Sequence, residues 1–256
     1  MEGQCAFCGL SNQVRICKNP DTGKGPQFCS TLLYPECIEK AAEEYQSEEM
    51  HTFAVNSAKN ERSCYDCSVE TAGLPKPVKC RIEETIDFCK SMDYKKIGLA
   101  FCGALHREAA VVAKIFRAHG LETVSVMCKV GGIDKAAIGI QEEEKLHPGR
   151  FEAMCNPIAQ AEILNQADTD FNVVIGLCVG HDSLFLSHSK KMCTVLAVKD
   201  RLLGHNPLAA VYTNHSYYGF LNNGDCPHRD LMLQIMDKRR ARHAGHHKQG
   251  LDEVRR

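Results

Sequence analysis

Cysteines stand at the positions in this sequence where a parallel sheet could build a metal site. Runs typical of β-strands, residues 94–101, 121–127 and 171–177, each end on a cysteine, and a further cysteine precedes a helix start, giving the set Cys102, Cys128, Cys178 and Cys155. The carboxyl ends of parallel strands lie at one edge of a sheet, where open α/β proteins bind ligands. Four thiols there suit a [4Fe-4S] cluster or a closed zinc site. We favour the cluster, because a closed zinc site would leave the ligand-binding edge of the sheet without a reactive centre.

Two other interpretations of these cysteines stay open. A free cysteine behaves as a small apolar residue, so the four side chains could simply pack at the strand ends. Alternatively, Cys178 could act as a thiol nucleophile, with His181 close to it in sequence.

Two histidines are candidate catalytic proton donors beside such a centre. His181 follows Cys178 by three residues. His205 stands in the frame His205-Asn-Pro, which repeats the frame Cys155-Asn-Pro. In this frame Asn caps a helix and Pro occupies its first turn. Equivalent helix starts would place His205 at the same edge as Cys155, so both histidines could move protons there.

A second cysteine set lies near the N-terminus and consists of Cys5, Cys8, Cys17 and Cys29. Two cysteines separated by two residues can bind one metal from a tight turn, and two later ones can complete a tetrahedron. The set predicts a metal site, either zinc or an iron-sulfur cluster, although reactive thiols in a loose arm are the alternative. The roles of Cys37, Cys64, Cys67 and Cys80 stay open.

Composition limits the partners that the protein could have. The net charge is -1, Trp is absent, and the cysteine-rich N-terminus offers few basic residues, so we expect no nucleic-acid or membrane partner. We find neither a secretory signal nor an apolar run of the roughly 18 residues that a membrane span needs. We therefore expect a cytoplasmic protein, in which fifteen cysteines indicate metal binding or thiol chemistry rather than disulfides.

The order of predicted elements indicates an α/β fold. Strand-like runs alternate with helical patterns, and a fourth strand is predicted at residues 194–198. Alternation of this kind is typical of a Rossmann-like parallel sheet, here of at least four strands with flanking helices. The long connection at residues 128–155 is predicted to be functional, because structureless loops of that length are uncommon in compact domains.

We divide the chain into three parts. Residues 1–75 form a small cysteine-rich metal-binding module with a helix from residue 35 or 36 to about 59, and the prolines and glycine of 71–77 mark a boundary. Residues 76–225 form the Rossmann-like domain. Residues 226–256 are a basic, His-containing tail that we expect to be partly disordered.

Residues 94–212 resemble a family of uncharacterised, predicted metal-binding proteins of anaerobic bacteria and archaea. The resemblance rests on the segments LAFCGAL, CKVGGID, FEAMCNPI, GLCVGHDS and KDRLLGHNP, which contain the cysteines of the predicted sheet edge. It implies metal binding and an anaerobic setting, with Cys5, Cys8, Cys17 and Cys29 matching an N-terminal cysteine cluster of the family. Cys64, Cys67, Cys80 and Cys89 match no pattern of the family, and no reaction is implied.

The sequence thus predicts a redox-active iron-sulfur protein with a [4Fe-4S] cluster at the sheet edge and a second metal site near the N-terminus. The second site, if it is a cluster, would relay electrons to the first. The partner would be a small-molecule substrate or a redox partner protein. The alternative is a non-enzymatic carrier or sensor that holds zinc or another metal.

Overall fold

The computed structural model describes residues 1–71, 73–224 and 233–239, and the chain forms two compact units, Met1–Met92 and Asp93–Arg256. Residues 233–239 are helical, and the rest of the tail predicted from residue 226 lies outside the described residues. None of the helices described is long and apolar enough to cross a membrane.

The first unit combines helices with an antiparallel hairpin. Its elements are α1 (Ser30–Leu33), α2 (Pro35–Glu44), α3 (Glu48–Ser63), β1 (Tyr65–Thr71), β2 (Leu74–Pro77) and α4 (Arg81–Ser91). The proline-containing segment at 71–77, where the sequence suggests a boundary, forms part of this hairpin, with Pro75 opposite Glu70 and Pro77 opposite Tyr65. Prolines are tolerated on strands that have a free edge.

The single helix predicted from residue 35 or 36 to about 59 is wrong, because the chain forms two helices there. Ser47 has the extended backbone of an N-cap, and Glu48 and Glu49 follow in the first turn of α3. Carboxylates at this position stabilise a helix N-terminus through the helix dipole. These residues therefore start a new helix in a segment where the spacing of apolar residues predicts one continuous helix.

The second unit has the Rossmann-like α/β fold that the sequence predicts. Its elements are β3 (Lys96–Phe101), α5 (His106–Ala118), β4 (Glu122–Met127), α6 (Pro157–Gln166), β5 (Phe171–Ile175), α7 (His181–His188), β6 (Cys193–Ala197) and α8 (Leu208–Tyr212). The strands form a sheet of order β4-β3-β5-β6 in which every neighbouring pair is parallel. The expectation of a four-stranded parallel sheet flanked by helices is confirmed.

The strand order creates a switch point between β3 and β5. From β3 the chain moves outward to β4 on one side and then returns to place β5 on the other side. Connections from neighbouring strands diverge at such a point and leave a crevice at the carboxyl ends, where α/β proteins bind their ligands. The segments beginning at Cys102 and Cys178 follow the two strands that border this crevice.

An apolar cluster that includes Cys102 and Cys128 packs against the strands of this sheet. Leu164 of α6 and Phe185 of α7 are fully buried in it, together with Val174 of β5, Cys102 and Cys128. Neighbouring strands that are buried in this way position their ends firmly, since interiors are packed almost without voids.

The long connection between β4 and α6 doubles back on itself. Its two arms meet in an antiparallel bridge between Asp134 and Ala153, and the Met154 N–H donates to the carbonyl of Ile133 at 2.7 Å. Ion pairs close the loop beyond the bridge, since Lys145 Nζ lies 3.0 Å from Asp134 and 2.6 Å from Glu142. These contacts bring the far end of the connection, which carries Cys155, close to the end of β4.

Candidate metal centre

The carboxyl edge of the sheet brings three of the predicted ligands together: Cys102, Cys128 and Cys155. Cys102 and Cys128 follow the paired residues Phe101 and Met127 of adjacent strands, and their side chains are hydrogen-bonded to each other. Cys155 Sγ lies 3.8 Å from Cys128 Sγ, within hydrogen-bonding distance for sulfur. We call these three residues the sheet-edge thiols.

Local sequence explains the position of Cys155. The Asn156 N–H donates to the carbonyl of Cys128 at 2.7 Å, which ties the start of α6 to the end of β4. Asn156 Oδ1 then accepts a hydrogen bond from the Ala159 N–H at 3.1 Å, so Asn156 is the side-chain cap that the Asn-Pro frame predicts. Capping fixes the helix start, and Cys155 is held one residue before it.

The sheet-edge thiols differ in acidity because Cys128 stands between the other two. Hydrogen bonding with Cys128 is the largest cause that lowers the pKa of Cys102 to about 5, and it lowers the pKa of Cys155 to about 5 as well. The same two contacts, together with burial, raise the pKa of Cys128. The arrangement favours thiolates at Cys102 and Cys155, the form in which cysteine binds metals.

Cationic side chains surround these sulfurs. Lys199 lowers the pKa of Cys102, and Lys129 does the same for Cys155, after the contribution of Cys128 in each case. A backbone amide contributes too, since the Gly103 N–H donates to Cys128 Sγ at 3.3 Å. Positive charges and amide dipoles of this kind offset the charge of a thiolate site.

Cys178, the fourth predicted ligand, lies at the same edge after β5, where its sulfur accepts a hydrogen bond from Arg201 Nη2 at 3.1 Å. Gly176 makes the turn that leads to Cys178, with φ +64°, and a Cβ at this position would come 2.1 Å from Leu105 Cδ1. Glycine is therefore needed here for both backbone conformation and space. The carbonyl of Cys178 accepts from the His181 N–H at 2.9 Å, at the start of α7.

The two candidate histidines have different surroundings. His181 begins α7 and acts on Cys155 through its charge, where it helps lower the thiol pKa after Cys128 and Lys129. His205 has φ +65°, and its Nδ1 accepts a hydrogen bond from the Asp200 N–H at 3.1 Å. The backbone after β6 thus holds the His205 ring.

The two Asn-Pro helix starts are predicted to be equivalent. This prediction is wrong for the helix cap, because only the first start has a side-chain cap. Asn206 offers only its backbone carbonyl, to the Ala209 N–H at 3.1 Å, and α8 begins at Leu208 without a side-chain cap. A short helix with little buried surface gains less from a fixed start than α6 does.

Gln160 is a residue that sequence analysis missed. It is fully buried on α6, and its Nε2 donates to the carbonyls of Phe101 at 3.2 Å and Val126 at 2.6 Å. Among the residues that the structure describes, its Oε1 has no hydrogen-bond partner. Gln160 therefore joins the ends of β3 and β4 just before Cys102 and Cys128. The only sequence signal was a polar residue on the apolar face of α6.

The four N-terminal cysteines, Cys5, Cys8, Cys17 and Cys29, line one pocket of ≈ 90 Å³. We call it the N-terminal pocket. The Cys5 thiol hydrogen-bonds to Ser30 Oγ at 3.1 Å, and this contact lowers its pKa. Arg15 and Lys24 also line the pocket and bring positive charge to it. Two basic and four thiol side chains are thus gathered within a small volume.

Gly25 allows the wall of the N-terminal pocket to close on Cys29. A Cβ at residue 25 would come 2.9 Å from Cys29 Sγ and 2.8 Å from Cys29 Cβ. The loop itself is held by two backbone hydrogen bonds, from the Ile16 N–H to Lys24 at 2.9 Å and from the Lys24 N–H to Val14 at 2.7 Å.

The remaining cysteines have other surroundings. The Cys64 thiol donates to the carbonyl of Asn60 at 3.2 Å, and burial raises its pKa. Cys193 donates to the carbonyl of Lys191 at 3.3 Å and packs against the apolar cluster, while Cys89 is fully buried. Cys37, Cys67 and Cys80 are exposed.

No group of three or more His, Cys, Asp or Glu side chains is arranged, within the described parts of the chain, so that it could hold a metal ion in this conformation. The sheet-edge thiols and the N-terminal pocket are thus gatherings of thiols, and metal binding at either place is a proposal.

Comparison with known proteins identifies the family. A family model described as "Protein of unknown function (DUF1847)" matches residues 29–196, which include Cys102, Cys128, Cys155 and Cys178. An uncharacterized protein of Methanocaldococcus jannaschii, MJ0455, is 48% identical over 180 residues, covering 70% of this chain and 86% of that protein. On both grounds the chain belongs to the DUF1847 family of proteins of unknown function.

Proposed function

We propose that this protein binds a metal centre through the cysteine thiolates at the carboxyl edge of its sheet, and that the centre is a [4Fe-4S] cluster with a redox role. The observation that carries the proposal is the contact of Cys102, Cys128 and Cys155 at the edge where α/β folds bind ligands. Each of the three sulfurs comes from a residue directly after β3, directly after β4 or shortly before α6, so the fold of the sheet brings them together.

The chemistry of the donor set fits such a centre. Thiolates are the usual ligands of iron-sulfur clusters. Two of the three sheet-edge thiols have pKa values lowered to about 5, so they are available as thiolates near neutral pH. Cys178 would be the fourth ligand, released from Arg201 by rotation of its side chain. The proposal requires this side-chain movement to bring Cys178 to the three thiols at the same edge.

The neighbouring residues suit the charge of a thiolate-ligated cluster. Lys129, Lys199 and Arg201 each act on a different cysteine of the set. Hydrogen bonds to the sulfurs and nearby positive charge tune the reduction potential of such a centre. When bound, the cluster would supply one-electron transfer. His181, at the start of α7 beside the site, is the residue that we propose holds or releases a proton during that transfer.

A single zinc ion is the second candidate, and one distance favours it. Two sulfurs bound to one tetrahedral zinc, at a zinc–sulfur distance of about 2.3 Å, stand about 3.8 Å apart. The separation of Cys128 Sγ and Cys155 Sγ is 3.8 Å. On this alternative, the protein is a zinc-binding carrier or sensor without redox chemistry.

We further propose a second metal site in the N-terminal pocket. Its four cysteines match the number of protein ligands in a structural zinc site or a cluster. Reduced thiols in this number suit the cytoplasm, where disulfides rarely persist. The cluster at the sheet edge would exchange electrons with a small-molecule substrate in the crevice or with a redox partner protein.

The test is anaerobic purification and reconstitution, followed by iron, sulfide and zinc analysis and an absorption spectrum. The proposal expects about four irons and four sulfides for one cluster at the sheet edge, with the broad visible absorption of an iron-sulfur cluster. A Cys128→Ala variant should lose this centre, while the matched control Cys193→Ala should keep it. Zinc at the edge and no iron after reconstitution would establish the second candidate. Equal metal content in both variants and the wild type would reject both.

A further inference from the structure

We propose that Cys155 and Cys128 form a reversible disulfide when the metal-free protein meets hydrogen peroxide or a related peroxide oxidant. The consequence for metal loading rests on the proposed function, whereas the disulfide itself does not. The bond would remove two of the thiol donors at the sheet edge, so that the oxidised protein could not load its centre there.

Geometry selects this pair. The sulfurs are 3.8 Å apart, and the backbones are tied by the hydrogen bond from the Asn156 N–H to the carbonyl of Cys128 at 2.7 Å. A disulfide needs the sulfurs about 2.05 Å apart and backbones that are already close. The remaining movement is therefore within the reach of side-chain rotation and a small shift of one segment.

Cys155 lies outside the ladder of the sheet, so a change in its side-chain torsions does not disturb strand pairing. It lies in the irregular segment between the bridge at Ala153 and the first turn of α6. Cys102, the other neighbour of Cys128, is different because it continues β3, where the ladder holds Phe101 opposite Met127. A bond between ends of adjacent strands would have to distort that ladder. The pair Cys155–Cys128 is accordingly favoured over Cys102–Cys128.

Exposure sets the order of events. Cys155 is half-buried, while Cys128 is 2% exposed and Cys102 is 8% exposed. Peroxide therefore reaches Cys155 first. The Cys155 thiolate attacks one peroxide oxygen, the O–O bond breaks, and with one proton the products are a sulfenic acid at Cys155 and water.

Cys128 then resolves the sulfenic acid. Its sulfur attacks the sulfur of Cys155, an S–S bond forms, the S–O bond breaks, and the hydroxyl leaves as a second water with the Cys128 proton. Each cysteine has lost one electron and the peroxide has gained two. A dithiol reductant reverses the reaction by exchange and restores both thiols.

The test uses the full-length protein, reduced and freed of metal with a chelator, and treated with one equivalent of hydrogen peroxide. Remaining thiols are alkylated, and peptides are mapped without reduction. The expected product links the Cys128 and Cys155 peptides with the loss of two hydrogens. In Cys128→Ser, dimedone should trap the sulfenic acid at Cys155. In Cys155→Ser, the link should disappear, and the control Cys193→Ser should behave as wild type.

Three outcomes would overturn the inference. They are a Cys102–Cys128 link as the main product, full alkylation of Cys155 after peroxide, and a dimedone adduct on Cys128 rather than Cys155. Metal uptake gives a second readout: oxidised wild type should bind no more metal than Cys128→Ser, and dithiothreitol should restore uptake. If the disulfide form binds metal normally at the sheet edge, the claim that oxidation blocks metal binding is wrong. Failure of the reduced protein to bind metal would instead reject the proposed function and leave the disulfide result intact.

Discussion

The two cysteine sets of this protein are positioned by different kinds of structure. The sheet-edge thiols sit at the ends of β3 and β4 and before α6, and two of them are nearly excluded from solvent. The cysteines of the N-terminal pocket come from short turns and loops, and Cys5 and Cys17 are exposed. A sheet edge is maintained by the core beneath it, whereas a loop site has little else to hold it. We therefore expect the sheet-edge thiols to stay in place without metal, whereas the order of the N-terminal pocket should depend on metal.

The largest expected effect is the response to metal removal. We expect that a chelator will raise amide hydrogen exchange in residues 3–29 by at least about 100-fold, because binding energy at loop metal sites is folding energy. Exchange in β3 and β5 should stay within a few-fold of that in the metal-loaded protein. Hydrogen exchange with mass spectrometry measures both. Equal protection of the N-terminal residues with and without metal would contradict the expected difference in metal dependence between the two cysteine sets.

Substitution of a buried leucine should destabilise the second unit and leave the N-terminal unit unaffected. Leu164→Ala removes a fully buried side chain from the cluster that supports Cys102 and Cys128. Substitutions of this kind cost about 2–5 kcal/mol. The midpoint of urea unfolding of the second unit should fall accordingly, while the N-terminal unit keeps its metal content. Glu162→Ala, at an exposed position of the same helix, is the control and should leave the midpoint unchanged.

Gly25→Ala tests the close packing of the N-terminal pocket. The added Cβ would stand 2.9 Å from Cys29 Sγ, so the loop must move away from the pocket. We expect zinc affinity at this site to fall by roughly 10–100-fold, the range seen when the support of a ligand is altered. Competition with a chromophoric chelator measures the loss. Gly9→Ala is the matched control, since nothing lies within 4 Å of its added Cβ.

Gln160→Met should give a smaller effect at the sheet edge. The substitution keeps the shape of the side chain and removes the two hydrogen bonds to Phe101 and Val126. The two lost hydrogen bonds are worth about 0.5–1.5 kcal/mol each, since the Phe101 carbonyl keeps the Cys128 N–H as a donor at 2.9 Å. Removal of the unpartnered Oε1 offsets part of this cost. Thermal unfolding of the second unit reports the net value. An increase in stability would show that the orphan acceptor outweighs the two bonds.

The smallest effect is the acid sensitivity of the connection between β4 and α6. Hydrogen bonding with Lys145 lowers the pKa of Glu142, and hydrogen bonding with Lys135 lowers the pKa of Glu152. Carboxyl groups with depressed pKa values stabilise the folded state above their ordinary pKa of about 4, and this contribution is lost as pH falls through the lowered values.

Amide exchange in residues 134–152, corrected for the intrinsic effect of pH, should therefore rise between about pH 5 and pH 3 relative to exchange in β5, with ordinary carboxyl pKa values as the guide. Lys145→Met should remove the part of this pH dependence that comes from Glu142 and leave the part from Glu152, which pairs with Lys135. If the connection keeps its protection at pH 3, these ion pairs are not what holds it.

The sequence was sufficient for the sheet because its signals are local. Continuous apolar runs predicted β3 and β5, whose neighbours bury them on both faces, and the residues after them could be assigned to one edge. Asn156 was readable as a cap for the same reason, since a cap needs only the next turn of its own helix.

Other features depend on residues that are distant in sequence. The return of Cys155 to Cys128 rests on contacts such as that between Lys145 and Asp134, and no periodic pattern announces them. Gln160 is identified only by the two strand ends that it joins. Asn206 has the right neighbours for a cap, yet α8 ends after five residues and leaves the cap unused. Tertiary contacts decide each of these cases.

The hydrogen bond between Asn156 and Cys128 has a consequence for how this family could diversify. In addition to the bridge and ion pairs farther out, it closes the long connection at its base through a backbone bond that requires no particular side chain between the anchors Cys128 and Asn156. Long closed loops tolerate changes of length at a small entropic cost. The segment between the anchors could therefore be shortened, lengthened or exchanged, and the sulfur positions would be inherited unchanged.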